Sequence, residues 1–480
     1  MIGAITRQSS LFYVNFGKQA ELIKDDLLEP VDTLLDDTRM VELVYQSLAQ
    51  RYPLSKRTGR TGIAPDRLLR SCVLKHIKGW SFRDLEREVR SNLLYRRFTR
   101  FDDAPIPDYS TFSRNLALLS PELTEKIHAR VVGIAREEGV ARGRKLRTDT
   151  TVVESNIHYP TDSSLIRDGI RVMTRNLKRI AEACTEGALK VVDHSRRVKN
   201  RLIEIERASK SFTESSRTKF KDSYGKLMGI TRGVVRQAET VMQALQDGTL
   251  PIVGSVLSVS RSAYELQHFL PLVNKVLAQT RARVFEGERH YPDKLVSIFE
   301  EHTAVIRKGK VSKPTEFGRL VRIDEVENGI VSHYDVADGN PADQPQWVPA
   351  LKKHTEQFGQ PPKMATADRG FFSADNEQQA KKLGVKKAAL PARGRLGNKR
   401  AKLQKQRWFR RALKWRGGIE SRIATLKHRF AMFRATYKGD RGFKRYVGWC
   451  VISQNLISVA RTKRKKEKDK QDACKNRLVE

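Results

Sequence analysis

The sequence predicts an α/β protein: a mixed sheet flanked by helices, with an all-helical N-terminal domain and a large helical insertion after the first strand. Three observations predict this fold class. Apolar residues recur every three to four positions from about residue 32 to 138, which indicates amphipathic helices. The next segment, 146–154, is rich in Thr and Val and has the composition of a strand. From Phe317 the apolar period changes to two, and strands then alternate with helices.

Residues 1–140 are expected to form a helical DNA-binding domain. Pro65 suits the first turn of one helix, Ser81 precedes a second short helix, and Asp108 is placed to cap a third. Short capped helices with abundant arginine are typical of a helix-turn-helix unit. A small helical bundle that only packs against the rest of the chain is the alternative.

The sheet-forming core is predicted in two parts, residues 141–162 and 307–460. The first part contains the strand at 146–154. Between the two parts, residues 163–306 show helical periodicity, carry many Lys and Arg side chains, and are broken by Gly248-Thr-Leu-Pro. We therefore expect a helical insertion after the first core strand.

The second part of the core begins with two paired strands, 317–324 and 330–337, joined by a hairpin-type connection. Gly417 and Gly418 are candidates for a bend in a later helix, and the charge run 461–480 is expected to be a disordered basic tail. The elements predicted after the hairpin are a helix at 346–354, a strand at 362–368, a helix at 373–383, a strand at 385–390, a helix at 408–433 and an apolar helix at 446–459.

The charge of the chain points to a polyanionic partner. It has 92 Lys and Arg against 55 Asp and Glu, a formal net charge of +37, which a fold by itself does not need. No apolar run reaches the roughly 18 residues of a membrane span, so we expect no membrane partner. The four cysteines form no CxxC pair, and the first residues lack a secretory-signal pattern. These features favour a cytoplasmic, nucleoid-associated protein that binds nucleic acid.

Glu420 is the only carboxylate in a long basic stretch of the sequence. No other Asp or Glu occurs between Gln378 and Gly439, where Lys and Arg are frequent. At 100° per residue, Arg416, Glu420 and Lys427 lie on one helical face. Such a face offers one carboxylate for a cation and two cations for phosphate oxygens. A surface ion pair between Glu420 and its neighbours is the simpler alternative.

Two aspartates accompany the predicted strands. Asp149 lies within the first strand, where an Asp is tolerated when its carboxylate has a partner such as a metal. Asp368 ends a later strand and precedes Arg369-Gly370, the position where α/β proteins gather ligands. Each could instead be an Asp at a strand end or turn. Three carboxylates would suit Mg²⁺, and two such ions serve phosphoryl transfer.

Three segments resemble the DDE transposases of bacterial insertion sequences: Thr148-Asp-Thr-Thr-Val-Val-Glu, Ala367-Asp-Arg-Gly-Phe and Gly418-Ile-Glu-Ser-Arg. Lys313-Pro-Thr-Glu-Phe-Gly-Arg and Gly339-Asn-Pro-Ala-Asp also look like landmarks of that family. The resemblance implies an RNase H-like core. It also implies that Asp149, Asp368 and Glu420 are the catalytic residues and hold two Mg²⁺ ions, for which Mn²⁺ could substitute.

Some related transposases carry a Tyr-x2-Arg-x3-Glu-x6-Lys signature around the third acid. Arg416, Glu420 and Lys427 match its spacing, whereas Leu413 fills the place of the tyrosine. The cations that we expect to bind DNA are Arg416, Lys427, Arg369, Arg410, Arg411 and Lys414. His158 and Asp162 are candidates for the rim of the active site, with a structural turn at Tyr159-Pro160 as the alternative.

The resemblance implies a transposase that cleaves the ends of an insertion sequence and transfers the freed strands into target DNA. Its partners would be the terminal inverted repeats and the target DNA, bound by a homodimer. Three other functions stay open: a structure-specific DNA nuclease with the same core, a catalytically silent domesticated DNA-binding protein, and a basic RNA-associated scaffold.

Overall fold

The computed structural model describes residues 23–51, 57–58, 61–102, 104–288, 290–307 and 314–479. Lys313, the first residue of one predicted family landmark, lies outside the described residues. The chain forms two compact units. One unit contains Met1–Asn156 and Ile306–Glu480, and the other contains Ile157–Val305. No helix in the described ranges is long and apolar enough to cross a membrane.

The N-terminal part of the first unit is helical, as predicted. Pro65 stands at the first helical position of α3, whose C-terminus is closed by Gly79 in the left-handed region, with φ of 67°. The side chains of Ser81 and Asp84 form a capping box at the start of α4, and Asp108 accepts two backbone N–H groups at the start of α6. The helices are α1 Leu28–Leu35, α2 Thr38–Ala49, α3 Pro65–Lys78, α4 Phe82–Ser91, α5 Leu93–Phe98, α6 Tyr109–Ala117 and α7 Pro121–Glu137.

The second unit is built from four long helices in its described residues. They follow strand β1, Lys145–Ser155, and have a hydrophobic core of their own that includes Leu177, Leu227 and Val276. The helices are α8 Asp162–Ala183, α9 Ser195–Ser209, α10 Glu214–Gln246 and α11 Val256–Phe285. A break near Gly248, between α10 and α11, lies where the sequence predicts it.

The first unit contains a mixed sheet with β1 at its centre. Strand β1 pairs antiparallel with β3 on one side and parallel with β5 on the other, and the order along the sheet is β2-β3-β1-β5-β6. Strand β4 also pairs with β3, forming the predicted hairpin, and β7 pairs with the end of β1. The remaining strands are β2 Ala304–Ile306, β3 Glu316–Glu325, β4 Val331–Val336, β5 Met364–Ala367, β6 Lys387–Ala389 and β7 Arg434–Ala435.

Helices cover this sheet and join its core to that of the N-terminal helices. One continuous set of buried residues runs from Leu35 in α1 through Leu146 in β1 to Trp347 and Trp449 in later helices. The helices after β4 are α12 Trp347–Phe358, α13 Ala374–Lys382, α14 Asn398–Lys405, α15 Arg407–Arg429 and α16 Gly439–Val479. A mixed sheet flanked by helices confirms the predicted α/β class.

Two local expectations were wrong. Helix α15 runs unbroken through Gly417 and Gly418, so the predicted bend is absent. The charge run after residue 461 is helical rather than disordered, since it continues α16 to Val479. Lys, Arg and Glu are good helix formers. Contacts with the end of α7 also hold this segment, because Lys463 pairs with Glu138 at 2.7 Å and Lys466 donates to the Glu138 carbonyl at 3.1 Å.

Candidate active site

The three predicted acids come from three neighbouring elements. Asp149 lies in the middle of β1, and its Oδ1 accepts a hydrogen bond from the Thr150 backbone N–H at 2.8 Å. Asp368 directly follows β5, the parallel neighbour of β1, and precedes a short 3₁₀ turn. Glu420 lies on α15, which contacts both strands. Because β1 and β5 are adjacent and parallel, they bring the two aspartates to one region of the sheet.

The guanidinium of Arg416 joins the three carboxylates. Its Nη1 lies 3.6 Å from Asp149 Oδ2 and 3.6 Å from Asp368 Oδ1, and its Nη2 donates to Glu420 Oε1 at 2.9 Å. Because both aspartate oxygens are measured from the same Nη1 atom, the distance between them cannot exceed the sum of the two 3.6 Å distances. The three acids thus lie around one positive charge.

The exposure of these groups decreases toward the sheet. The Glu420 side chain is 67% exposed and that of Asp368 is 45% exposed, whereas those of Asp149 and Arg416 are 18% exposed. Asp149 is thus fixed at the floor of the site, and Glu420 borders solvent. A long polyanion can reach the acids from the solvent side.

The donor set of this site suits a hard divalent cation. Among the described residues no group of three or more His, Cys, Asp or Glu side chains is close enough to hold a metal ion as arranged. In this structure the Arg416 guanidinium is instead the group that contacts all three carboxylates. Oxygen ligands on two strands and a helix nevertheless fit Mg²⁺, which binds through a few carboxylates and retains waters.

The predicted DNA-binding cations lie near these acids in the chain. Arg369, directly after Asp368, is exposed, and Lys427 is half-buried on the helical face of Arg416 and Glu420. Three further cations, Arg410, Arg411 and Lys414, are exposed on α15. Leu413, in the tyrosine place of the signature, is half-buried and packs in the small cluster around buried Phe409 and Ala412.

The two rim candidates belong to the second unit. Asp162 is buried at the start of α8, where Arg283 donates to its Oδ2 at 2.8 Å. The His158 Nε2 lies 3.7 Å from Asp168 Oδ2. Their role at the active-site rim stays a prediction.

A buried ionic network next to the acids was missed by sequence reasoning. Glu325, at the end of β3, is fully buried and faces Arg147, its registered partner on β1. Arg147 donates to Glu325 from Nε at 2.9 Å and from Nη2 at 2.7 Å, and Arg422 on α15 donates from Nε at 3.3 Å. The sequence contains one indication that Arg147 lies near the site. Arg147 is two residues from Asp149, so both side chains point to the same face of the strand.

A second missed residue is Asp343, which ends one of the predicted landmarks. Its Oδ1 accepts a hydrogen bond from the Thr150 hydroxyl at 2.7 Å, next to Asp149. A Cβ added at Gly370 would lie 2.8 Å from Asp343 Oδ2. The glycine after Asp368-Arg369 thus allows this carboxylate to approach, and Asp343 borders both aspartate-bearing segments.

Two protein-family models match the chain. The family model described as "Transposase domain (DUF772)" matches residues 17–118, the helical N-terminal region. The model described as "Transposase DDE domain" matches residues 325–456, which include Asp368, Glu420 and the network residues Glu325 and Arg422. A DDE domain implies an RNase H-like core, in agreement with the mixed sheet. No curated protein and no solved structure matches the chain.

Proposed function

Because this chain belongs to the DDE-type transposases of insertion elements, we propose that it cleaves DNA at the ends of its element and transfers the freed 3′ ends into target DNA. One observation carries the proposal. Asp149, Asp368 and Glu420, far apart in the chain, meet at a single guanidinium on the solvent-accessible side of the sheet.

We assign divalent-metal binding to these three carboxylates, with Mg²⁺ as the ion and Mn²⁺ as a substitute. Two bound ions would supply Lewis-acid chemistry for phosphoryl transfer, in which the attacking oxygen is activated and the leaving oxygen is neutralised. Asp149, the most buried acid, provides the fixed ligand from the sheet. Glu420, exposed on its helix, provides the ligand that adapts to the substrate.

Cations around the acids would hold the phosphate backbone. Arg416 donates to carboxylates in the DNA-free protein and, when a metal ion takes over their charge, is placed to donate to a phosphate oxygen. Arg369, Lys427 and the exposed cations of α15, Arg410, Arg411 and Lys414, extend this surface. The N-terminal helices, matched by a transposase domain, are assigned to the terminal inverted repeats, which a homodimer would bring together. Such a protein would act on nucleoid DNA in the cytoplasm.

Asp149→Asn tests the catalytic assignment. We expect this variant to lose detectable cleavage of a duplex carrying the element's terminal repeats, because the amide cannot replace a charged metal ligand. Binding to the same duplex in a gel-shift assay should stay within about twofold of the wild type, since Asp149 contributes no positive charge to the interface. Nicking by the variant at the wild-type rate would refute the assignment.

The products identify the reaction class. A transposase converts a pre-cleaved element end and a target plasmid into joined strand-transfer products. Repeated cleavage without any joined product would instead indicate a nuclease on the same core. Retention of the wild-type biological effect by Asp149→Asn would indicate a protein that only binds DNA.

A further inference from the structure

We propose that Arg147, Glu325 and Arg422 are positioning residues that set the distance between the Glu420-bearing helix and the Asp149-bearing strand. The inference rests on the proposed function, because it concerns how the acids of that site are held. It assigns a role to three residues outside the acid triad.

The buried carboxylate of Glu325 requires compensating positive charge. Glu325 has no exposed surface, and an uncompensated charge there would destabilise the fold strongly. Arg147 provides two hydrogen bonds to it, at 2.9 and 2.7 Å, and Arg422 provides a third contact at 3.3 Å. One guanidinium comes from β1 and the other from α15, so neutralising Glu325 joins the helix to the sheet.

The helix is attached on both sides of Glu420. Arg147 Nη1 donates to the backbone carbonyl of Trp415, and its guanidinium carbon lies 4.8 Å from the centre of the Trp415 ring. Arg422 provides the second attachment. With a rise of 1.5 Å per residue, the two attachments are about 10 Å apart along α15 and enclose the turn that carries Glu420.

Two glycines leave space for the two guanidiniums. A Cβ at Gly418 on α15 would overlap the Arg147 guanidinium, and a Cβ at Gly329 would overlap that of Arg422. Gly329 has φ of 73°, in the left-handed region that favours glycine. The backbone at both positions is therefore adapted to the network.

The expected consequence is catalytic because metal ligands and reacting groups tolerate little displacement. A misplacement of about 1 Å can cost on the order of 100-fold in rate. Residues that support metal ligands typically contribute about 10- to 100-fold to metal affinity or activity. Weakening the network should therefore affect cleavage far more than DNA binding.

Arg422→Gln tests the proposal. The variant keeps Arg147 to neutralise Glu325, so we expect it to fold. Cleavage of the terminal-repeat duplex should fall about 10- to 100-fold, whereas affinity for that duplex should stay within about twofold. Hydrogen–deuterium exchange of the backbone amides around Glu420 should become faster. Arg422→Lys, which keeps the charge, should recover part of the activity, and Arg429→Gln, at the exposed end of the same helix, is the matched control.

Several outcomes would overturn the proposal. These are wild-type cleavage by Arg422→Gln, unchanged exchange around Glu420, or a loss of cleavage that only parallels a loss of DNA binding and thermal stability. If Arg422→Gln fails to fold, the same comparison is made with Arg422→Lys. If the wild type itself cleaves no DNA, the proposed function fails, and the exchange measurement still decides whether the network holds the helix.

Discussion

Arg416 resolves a local electrostatic problem, since three carboxylates approach one another beside β1, the central strand of the sheet. The Arg416–Glu420 pair, whose carboxylate is 67% exposed, is worth at most about 1 kcal/mol, so it is the contact that a competing cation would break at the least cost. In the proposed function, a divalent cation would take over the charge balance that Arg416 provides in this structure.

The sequence singles out the three carboxylates and the structure brings them to one guanidinium, but the residues around them were not anticipated. The spacing of Arg416 and Glu420 indicates a shared helical face, and their 2.9 Å contact confirms it. That Arg416 also reaches Asp149 and Asp368 depends on β5 pairing beside β1, which spacing along the chain does not specify. In the sequence, little distinguishes Arg147 from the many other cations. Its importance follows only from the structure, where β3 places the buried Glu325 opposite it.

Lys75 is a buried ammonium that lies far in sequence from the acids. Its Nζ lies 4.9 Å from the centre of the Phe82 ring, 5.0 Å from that of Tyr437 and 5.8 Å from that of Tyr446. Burial lowers the pKa of Lys75 from its ordinary 10.5 to about 8, although the three ring faces favour the charged form. Below pH 8 the folded protein therefore has to keep a charge that the unfolded chain holds at lower cost.

Lys75→Met should remove a pH-dependent contribution to stability. Between about pH 8 and 10.5 the unfolded chain binds more protons at Lys75 than the folded protein does, so this group makes stability rise with pH. The free energy of unfolding of the wild type minus that of the variant should therefore increase across the window. Urea denaturation at a series of pH values measures it, with Lys78→Met as the control for losing a lysine from α3. A constant difference across the window would contradict the prediction.

At the scale of elements, the spacing of apolar residues predicted most of the helices and strands in the second half of the chain. The β3–β4 hairpin, α12, β5, α13 and β6 all occur at the predicted places, because alternating and helical apolar patterns report directly on burial. The exceptions have specific causes. The Gly417-Gly418 pair looked like a helix breaker, but Gly418 provides room for Arg147, and α15 continues through both glycines while it contacts β1.

The two adjacent glycines of α15 give a matched pair for an experiment. Alanine in a helix is normally more favourable than glycine by about 0.5–1 kcal/mol. Gly417→Ala should show this gain in the free energy of unfolding, because no atom lies within 4 Å of the added Cβ. Gly418→Ala should instead destabilise by about 1–3 kcal/mol, because its Cβ overlaps the Arg147 guanidinium. Urea denaturation compares the two, and equal stabilisation by both would contradict the close approach of Arg147.

At the scale of the molecule, composition anticipated a nucleic-acid partner, and periodicity anticipated the order of helical and sheet-forming segments. Neither indicates which segments share a core. In the structure the helices from α1 to α7 bury residues together with the sheet and α16, whereas α8 to α11 bury theirs in a separate cluster. Helix periodicity is the same in both cases, since an apolar stripe reveals that a face is buried but not which surface covers it.

These separate cores predict that the first unit folds without the second. Strand β1 ends at Ser155, and β2, which begins at Ala304, is separated from it in the sheet by β3 alone. With neighbouring strands about 4.8 Å apart, the lateral separation of β1 and β2 is roughly 10 Å, and a Gly-Ser linker of about six residues reaches about 20 Å when extended. A chain in which such a linker replaces residues 157–302 should therefore unfold in one cooperative transition, with a circular dichroism spectrum that retains the sheet. Residues 157–305 expressed alone should be helical and cooperative as well. A shortened chain that lacks a cooperative transition, while the full-length protein shows one, would mean that the sheet depends on the helices inserted into it.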